Sequence, residues 1–291
     1  MNNNFHRAWW LVTLSALVAM SADAVTEKLK RTAFLNSLAE RHKTSPRLQE
    51  TPIVSIITSL YKGDDFIEGF LKDIVRQTIF DQCELIIINA KSPGNEEPII
   101  LEYCKAYPNI IYIRLDYDPG LYAVWNMAIK MARGRYITNS NVDDRRNPQN
   151  IEMYLRVLEA HPAIDLVYSN FYLTRRANTL FEEHSHCSLF DTKQYRTPKS
   201  LCEATVGPQP MWRKCLHDQV GYFDESFTSS GDWEFWNRLA SSGCRLSKIH
   251  GISGVYYENP QGISTNSIPA NVIKRMREDQ RIRELYPYLS K

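Results

Sequence analysis

Two adjacent carboxylates, Asp143 and Asp144, occur in the stretch NSNVDDRRNP at residues 139–148, directly after an apolar run typical of a strand. Asp and Asn hydrogen-bond their own backbone in turns, and Pro148 suits the first turn of a helix, so a plain strand-to-helix loop would explain the stretch. Carboxylate oxygens at a strand end are also ligands for Mg²⁺ or Mn²⁺, which one or two carboxylates and substrate phosphates commonly hold. The stretch alone favours the turn, and the surrounding elements must decide.

A further carboxylate, Asp232, lies in SSGDWEFW, directly before the pattern WEFWNRLA. Trp233, Trp236, Leu239 and Ala240 recur there at three- and four-residue spacing, which predicts a helix. Asp is a good residue for capping the start of such a helix, so this position has a structural explanation of its own.

The overall composition predicts a folded protein. The chain has 291 residues, of which 43% are hydrophobic and 23% charged, with a net charge of +2. That length suits one large α/β domain, or one domain with an appendage. The charge balance lacks the strong basic surface of a nucleic-acid binder. The basic helical pattern at residues 274–283 is typical of a solvated helix face. Six cysteines without paired spacing indicate neither a disulfide framework nor a zinc ribbon.

Strands and helices alternate along most of the chain. Short β-branched runs begin near residues 53, 84, 110, 136 and 165, and helical patterns at 63–77, 96–107, 121–133 and 148–160 separate them. This alternation predicts βαβ units and a largely parallel sheet, in which ligands bind at the carboxyl ends of the strands. We therefore expect the segments that follow the strands to share one rim of the sheet: 58–62, 89–92, 115–118 and 139–144. No G-x-G-x-x-G follows a strand and no G-x-x-x-x-G-K-[ST] occurs, so dehydrogenases and P-loop proteins lack their fingerprints here.

The segment AWWLVTLSALVAMSADAV at residues 8–25 is nearly all apolar, with Asp23 as its one charge. Three interpretations stay open. The segment can be a secretory signal cleaved after Ala22-Asp23-Ala24, a marginal transmembrane anchor, or a buried or interfacial helix that continues into residues 26–42.

Four blocks of the sequence, taken together, resemble the family 2 glycosyltransferases of GT-A fold. The blocks are PIVSIITSLYKGDDFIEGFLKDIVRQTI, ELIIINAKSPGNEE, DPGLYAVWNMAIKMARGRYITNSNVDD and VGYFDESFTSSGDWEFWNRLA. The resemblance runs from residue 52 to about residue 260, in the family's order and spacing. It implies a mostly parallel, Rossmann-like sheet flanked by helices. We predict a GT-A domain at 51–262, an N-terminal helical extension at 1–50 and a C-terminal helical tail at 263–291.

The resemblance implies a nucleotide-sugar donor, with a UDP-sugar favoured, and Mn²⁺ or Mg²⁺ against its diphosphate. Asp143 matches the metal-binding carboxylate of the family's D-x-D motif, and Asp144 matches the acidic residue that often follows it. Asn141 stands where the first Asp is usual. An amide oxygen can ligate a hard cation but brings no charge to it.

The resemblance also implies donor contacts at the strand ends. Thr58, Ser59 and Tyr61 match the segment that wraps the nucleotide, although strand-end capping would also explain them. Asn89 stands where an Asp commonly reads the base, and Lys91 follows it. A third block contributes residues that face the donor in the family: Asp118, Trp125 and Asn126. Trp125 sits on an apolar helix face and therefore suits a core position as well.

On the acceptor side, Asp232 matches the family's general base, which takes the proton of the acceptor hydroxyl during inversion. Glu234 is the second candidate for that role. Met211 and Trp212 suit either the acceptor cleft or the core. The resemblance implies a glycan or glycolipid acceptor.

Two other functions compete with this prediction. A nucleotidyltransferase would carry a Gly-rich phosphate loop, but SLYKGDD contains only Gly63. A non-catalytic sugar-binding relative would explain the amides at Asn89 and Asn141. Because nucleotide sugars are made in the cytosol, we predict a cytoplasmic protein with peripheral membrane contact through residues 8–25, and a signal-anchored protein is the alternative.

Overall fold

The computed structural model describes residues 51–202 and 206–290. Its strands are β1 (Val54–Leu60), β2 (Cys83–Asn89), β3 (Ile110–Arg114), β4 (Tyr136–Asn139), β5 (Arg145–Arg146), β6 (Leu166–Thr174), β7 (Ser188–Phe190), β8 (Met211–Arg213) and β9 (Leu246–Tyr257). Its α-helices are α1 (Ile67–Val75), α2 (Glu97–Ala106), α3 (Leu121–Met131), α4 (Asn150–Ala160), α5 (Leu216–Val220), α6 (Gly231–Ser241) and α7 (Pro269–Leu285). Short 3₁₀ helices lie at Phe80–Gln82, Phe181–His186, Pro198–Cys202 and Pro287–Ser290.

The strands form one mixed sheet in the order β3-β2-β1-β4-β8-β6-β9-β5, with β7 paired to β6. Strands β1 to β4 are parallel to one another. Strand β8 is antiparallel to both of its neighbours, β4 and β6. The predicted GT-A class, with a mostly parallel sheet between helices, is confirmed. The sequence pattern missed β8 because a three-residue strand is too short to show a period.

The central strands are buried on both faces, as their continuous apolar runs predict. Every residue of β2 is buried. Helix α1 covers this part of the sheet with one apolar face, made of Ile67, Phe70, Leu71 and Ile74, all fully buried. The result is a rigid platform whose parallel strands end at one rim.

Helix α7 lies within the part of the sequence predicted as a C-terminal tail. Its Glu278 is buried against residues 228–230, which precede α6. The predicted division at residue 263 stays a prediction. The predicted N-terminal extension and its apolar segment lie outside the described residues. None of the helices in the described ranges combines the length and apolarity that crossing a bilayer requires.

Candidate active site

The loop after β4 carries the paired carboxylates. Asp144 is 2% exposed, and both of its carboxylate oxygens accept hydrogen bonds. Asn141 Nδ2 donates to Oδ2 at 3.0 Å, and the backbone N–H of Tyr257 donates to Oδ1 at 3.1 Å. Burial, and next the charge of Asp143, raise the pKa of Asp144 well above its usual range. Asp144, expected as a metal residue, therefore joins the loop to the end of β9.

Asp143 is the half-buried carboxylate of the pair. Asn259 Nδ2 donates to its Oδ2 at 3.0 Å, and no other hydrogen bond to this carboxylate is formed within the described residues. Its Oδ1 is thus left without a hydrogen-bond donor among these residues, and Asp143 does not line either of the cavities described below. The Nδ2 of Asn141 donates to Asp144, so its amide oxygen is the atom that could bind a cation.

Two buried arginines, Arg145 and Arg146, hold this loop in place. Arg146 is fully buried and donates to Thr138 Oγ1 at 2.7 Å and to the carbonyl of Asn139 at 2.5 Å. Its backbone N–H donates to Asp73 Oδ2 of α1 at 2.7 Å. Because buried charges persist only when they are paired and hydrogen-bonded, these contacts fix the loop against the sheet. The sequence pattern gave no sign of this role of the RR pair.

A first cavity, of about 270 Å³, lies at the rim of the sheet, and we call it the strand-end cavity. The predicted donor residues Ser59, Tyr61 and Asp118 line it. Lys274 and Arg275 of α7 also line this cavity. These two cations were not predicted as site residues, since their sequence pattern indicated only a solvated helix face.

Two of the predicted donor residues are instead buried in the sheet. Thr58 is fully buried. Asn89 is also fully buried, and its Oδ1 accepts a 2.7 Å hydrogen bond from the backbone N–H of Ser92. Its Nδ2 donates to the Tyr112 hydroxyl at 3.1 Å. The Asn89 side chain therefore shapes the turn after β2.

Lys91 and Asn126, two further predicted donor residues, line neither of the two cavities in this structure. Lys91 is exposed and has a positive φ of 55°. Asn126 is buried and forms two hydrogen bonds with the loop before α6. Its Nδ2 donates to the carbonyl of Phe223 at 2.9 Å, and its Oδ1 accepts from the Phe223 N–H at 3.0 Å. Asn126 thus joins α3 to residues 223–225.

The second cavity, of about 590 Å³, contains the predicted base, and we call it the Asp232 cavity. Asn141 and Asp232 both line it. It adjoins the strand-end cavity, since Leu121, Ser229 and Ile263 line both. Its wall also includes aromatic rings and three further charged side chains. The aromatic residues are Tyr122, Trp125, Phe171, Phe190, Trp233, Trp236 and Tyr256, and the charged ones are Glu258, Asp279 and Arg283.

Asp232 is the second residue of α6, and Ser230 occupies the N-cap position that the sequence assigned to Asp232. The Tyr122 hydroxyl donates to Asp232 Oδ1 at 3.2 Å. Burial raises the pKa of Asp232, and hydrogen bonds from Trp233 and Tyr122 counteract part of this effect. Gly231 permits the contact, because a Cβ at this position would lie 2.7 Å from the Tyr122 ring.

Tyr256 links the two acidic groups of the site. Its ring lines the Asp232 cavity, and its hydroxyl lies 3.1 Å from Ser264 Oγ. Burial, and next the negative charges of Asp144, Asp143 and Asp232, raise the pKa of Tyr256. Tyr256 thus lies within electrostatic reach of the paired carboxylates as well as of Asp232, although Asp143 and Asp144 themselves line neither cavity.

The three predicted acceptor-side residues have other contacts. Met211 and Trp212 are fully buried, and Trp212 Nε1 donates to His217 Nε2 at 2.9 Å. Glu234 is 4% exposed and forms a 2.6 Å ion pair with Arg238, on the side of α6 away from the cavity lining. Among the expected residues of this motif, Asp232 is the one at the cavity wall.

Comparisons with known proteins show the family of this chain. The sequence profile described as Glycosyl transferase family 2 matches residues 55–218, more than half of the chain. A protein of Methanocaldococcus jannaschii, described as an uncharacterized glycosyltransferase, is 28% identical over 203 residues, which cover 69% of each chain. The minor teichoic acid biosynthesis protein GgaB of Bacillus subtilis is 32% identical over 115 residues, which cover 39% of this chain and only 13% of that protein.

Solved structures show the same fold. TarS of S. aureus, in complex with UDP-GlcNAc, has a TM-score of 0.62 at 17% identity, and the match covers 79% of this chain and 66% of that chain. The mannosyltransferase PcManGT of Pyrobaculum calidifontis, in complex with GDP-Man and Mn²⁺, has a TM-score of 0.55 at 14% identity, and the match covers 89% and 80%. The matching profile and the relatives named as glycosyltransferases define the class of this protein, a glycosyltransferase. The chain belongs to glycosyl transferase family 2.

The donor set at the loop after β4 fits a cation that takes most of its ligands from phosphate. Within residues 51–202 and 206–290, no group of three or more His, Cys, Asp or Glu side chains could hold a metal ion. The side chains of this loop that could offer oxygen ligands are the Asp143 carboxylate and the Asn141 amide. Mg²⁺ and Mn²⁺ are commonly held by one or two carboxylates together with substrate phosphates, so this small set is sufficient.

Proposed function

We propose that the protein transfers a sugar from a nucleoside diphosphate sugar to a hydroxyl of a glycan or glycolipid, with inversion at the anomeric carbon, and that Asp232 is the general base. The observation that carries this proposal is that Asp232 and Asn141 line one cavity, which adjoins a second cavity at the strand ends. The donor occupies the strand-end cavity, and the acceptor occupies the Asp232 cavity.

In the proposed step, the Asp232 carboxylate takes the proton of the acceptor hydroxyl. The hydroxyl oxygen forms a bond to the anomeric carbon from the face opposite the donor phosphate. The bond between that carbon and the phosphate oxygen breaks, and the nucleoside diphosphate leaves with the electron pair. A base held within hydrogen-bond reach of the attacking oxygen supports such a displacement.

Positive charge near the leaving diphosphate would come from two sources. Lys274 and Arg275 line the strand-end cavity together with Ser59 and Tyr61. When bound by Asp143 and Asn141, Mn²⁺ or Mg²⁺ supplies further charge against the diphosphate. Arg275 is held in place, because one guanidinium nitrogen donates to the carbonyl of Asn266 at 2.7 Å.

A UDP-sugar is the donor that we propose first. TarS, whose fold this chain shares, has been solved with UDP and with UDP-GlcNAc, while PcManGT has been solved with GDP-Man. The nucleobase of the donor would contact groups other than the Asn89 side chain, because the polar atoms of that side chain already form hydrogen bonds with Ser92 and Tyr112. The aromatic wall of the Asp232 cavity suits the apolar face of a sugar ring or of a lipid-linked sugar.

A panel of nucleotide sugars in a thermal-shift assay tests the donor. UDP-glucose, UDP-galactose, UDP-N-acetylglucosamine and GDP-mannose are each added with and without Mn²⁺. A donor at 100 times its Kd should raise the melting temperature by about 5 °C, since ligand binding stabilises the fold by mass action. No shift with any of the four would contradict the proposed donor class.

The matched variants Asp232→Asn and Asp81→Asn test the base. Asp81 is exposed and lines neither cavity. Asp232→Asn should bind donor like the wild type but hydrolyse it at least 100-fold more slowly, whereas Asp81→Asn should be unchanged. If the wild type binds donor yet neither transfers nor hydrolyses the sugar, the protein is a non-catalytic binding relative.

A further inference from the structure

The carboxylate of Glu278 in α7 accepts five hydrogen bonds from the segment that precedes α6. Oε1 accepts from the backbone N–H of Thr228 at 2.8 Å and from its hydroxyl at 2.6 Å. Oε2 accepts from the N–H and hydroxyl of Ser229, at 2.9 and 3.1 Å, and from the N–H of Ser230 at 3.0 Å. Glu278 is 8% exposed, so these bonds are shielded from water.

This segment carries the start of α6. Ser230 is the N-cap residue of that helix, but its side chain makes no capping hydrogen bond to it. The Ser230 hydroxyl donates instead to Asp279 Oδ1 of α7 at 2.8 Å. Two adjacent carboxylates of α7 thus accept the hydrogen bonds that hold the N-terminal end of α6. Hydrogen bonds to ionised groups are stronger than those between neutral groups.

The same segment forms part of both cavities. Thr228 and Ser229 line the strand-end cavity, and Ser229 and Ser230 line the Asp232 cavity. Asp232 follows Ser230 by two residues. A displacement of residues 228–230 would therefore move the carboxylate of Asp232 relative to a bound donor.

Glu278 remains ionised at neutral pH. Partial burial alone would raise its pKa, but hydrogen bonds from Thr228, Ser229 and Ser230 outweigh that effect and lower the pKa below its ordinary value. An ionised carboxylate can accept at both oxygens, whereas an amide at the same place presents one oxygen and one NH₂ group.

We propose that Glu278 is a positioning residue for the reaction, which fixes residues 228–230 and through them sets the position of Asp232 against the donor. This inference rests on the proposed function. It assigns to α7 a part in the chemistry in addition to the donor contacts of Lys274.

The test compares Glu278→Gln, Glu278→Asp and the control Glu284→Gln. Glu284 is exposed on the same helix and accepts a 2.9 Å hydrogen bond from Gln280. Each variant is assayed for hydrolysis of UDP-N-acetylglucosamine and of GDP-mannose with Mn²⁺, at least 10 °C below its melting temperature, with the chain otherwise complete. With this margin of about 10 °C each variant stays folded during the assay, so a lower rate reports a displaced Asp232 and not unfolding.

Glu278→Gln should lower kcat at least about 10-fold and change the KM for the donor less than about three-fold, because a misplaced base costs rate more than it costs donor binding. Glu278→Asp keeps the charge and should recover part of the lost kcat. Glu284→Gln should behave like the wild type. A folded Glu278→Gln with wild-type kcat would overturn the proposal.

If Glu278→Gln does not fold, Glu278→Asp carries the test. Its shorter side chain cannot reach all five donors, so kcat should fall while the donor KM is kept, and a wild-type kcat would overturn the proposal. Asp232→Asn is assayed in parallel. If that variant hydrolyses donor like the wild type, it is the proposed function that fails, whatever the result at Glu278.

Discussion

The Tyr122 hydroxyl donates a 3.2 Å hydrogen bond to Asp232 Oδ1 and so joins two helices whose contacting residues lie 110 positions apart. Tyr122 is 2% exposed and packs against the ring of Phe223, with ring centroids 5.8 Å apart. Its hydroxyl therefore points from a fixed position. This bond orients the carboxylate of the proposed base at the cavity wall.

Tyr122→Phe should move the pH dependence of the reaction. The hydrogen bond lowers the pKa of Asp232 against the effects of burial and of the nearby Asp279, so its loss should raise that pKa further. A general base works only when deprotonated, so the rate rises with pH through its pKa. The acidic limb of the kcat profile should therefore shift to higher pH, which donor hydrolysis measured from about pH 4 to about pH 8 would reveal. An unshifted limb would mean that another group is the base.

Asp143→Asn should abolish the effect of Mn²⁺ on donor binding. In the proposed function Asp143 is the charged ligand beside Asn141, and a neutral amide in its place lowers the affinity for a hard cation. The Mn²⁺-dependent part of the thermal shift with UDP-N-acetylglucosamine should disappear, while the unliganded protein melts within about 2 °C of the wild type, since a partly exposed side chain contributes little to stability. An undiminished Mn²⁺ effect would place the cation elsewhere.

Lys274→Ala should weaken the binding of UDP about five-fold at low salt. Lys274 is exposed and lines the strand-end cavity, so its contact with a phosphate should contribute about 1 kcal/mol to the binding free energy, as an exposed charge pair does. This energy corresponds to the change of about five-fold in affinity. The effect should shrink as salt screens the charge. Arg277→Ala is the control, since Arg277 is exposed on the same helix but does not line that cavity. Titration calorimetry at low and high NaCl measures both, and equal losses in the two variants would exclude a specific phosphate contact.

His217 should make the fold sensitive to mild acid. Burial, together with the charge of Arg238, lowers the pKa of His217 from 6.5 to about 4, although its hydrogen bond to the Gly221 carbonyl acts in the opposite direction. Nε2 accepts from Trp212 Nε1, so the ring must be neutral and carry its proton on Nδ1. Below about pH 6.5 the unfolded chain binds a proton that the folded chain does not, and stability falls by about 2 kcal/mol between pH 7 and pH 5.

Urea unfolding of the wild type, His217→Gln and His184→Gln at pH 7 and pH 5 measures this contribution. His217→Gln should be less stable at pH 7 but lose less stability on acidification. His184 is exposed, so His184→Gln is the control for removing an imidazole from the surface. Parallel pH profiles for wild type and His217→Gln would show that His217 titrates normally.

The sequence by itself determined the local elements and their chemistry. The apolar runs of β1 to β4 and the helical patterns between them predicted the sheet, because each run must bury its own side chains. The rule that ligands bind at the carboxyl ends of parallel strands was sufficient to place Ser59, Asp118 and Asn141 near one another. Motifs within one short segment, such as NSNVDD and SSGDWEFW, could also be recognised, since their spacing lies in the chain.

Only the tertiary structure decided which of these polar residues face a ligand. Asn89, Asn126 and Glu234 had the right residue types for a site, but their partners Tyr112, Phe223 and Tyr286 lie 23 to 97 positions away. The sequence pattern around Glu278 indicated a solvated helix, yet the partners of this carboxylate begin 50 positions earlier. A hydrogen bond between distant segments leaves no period in the sequence. The packing of α7 and α3 against the start of α6 therefore determines which side chains line the candidate site.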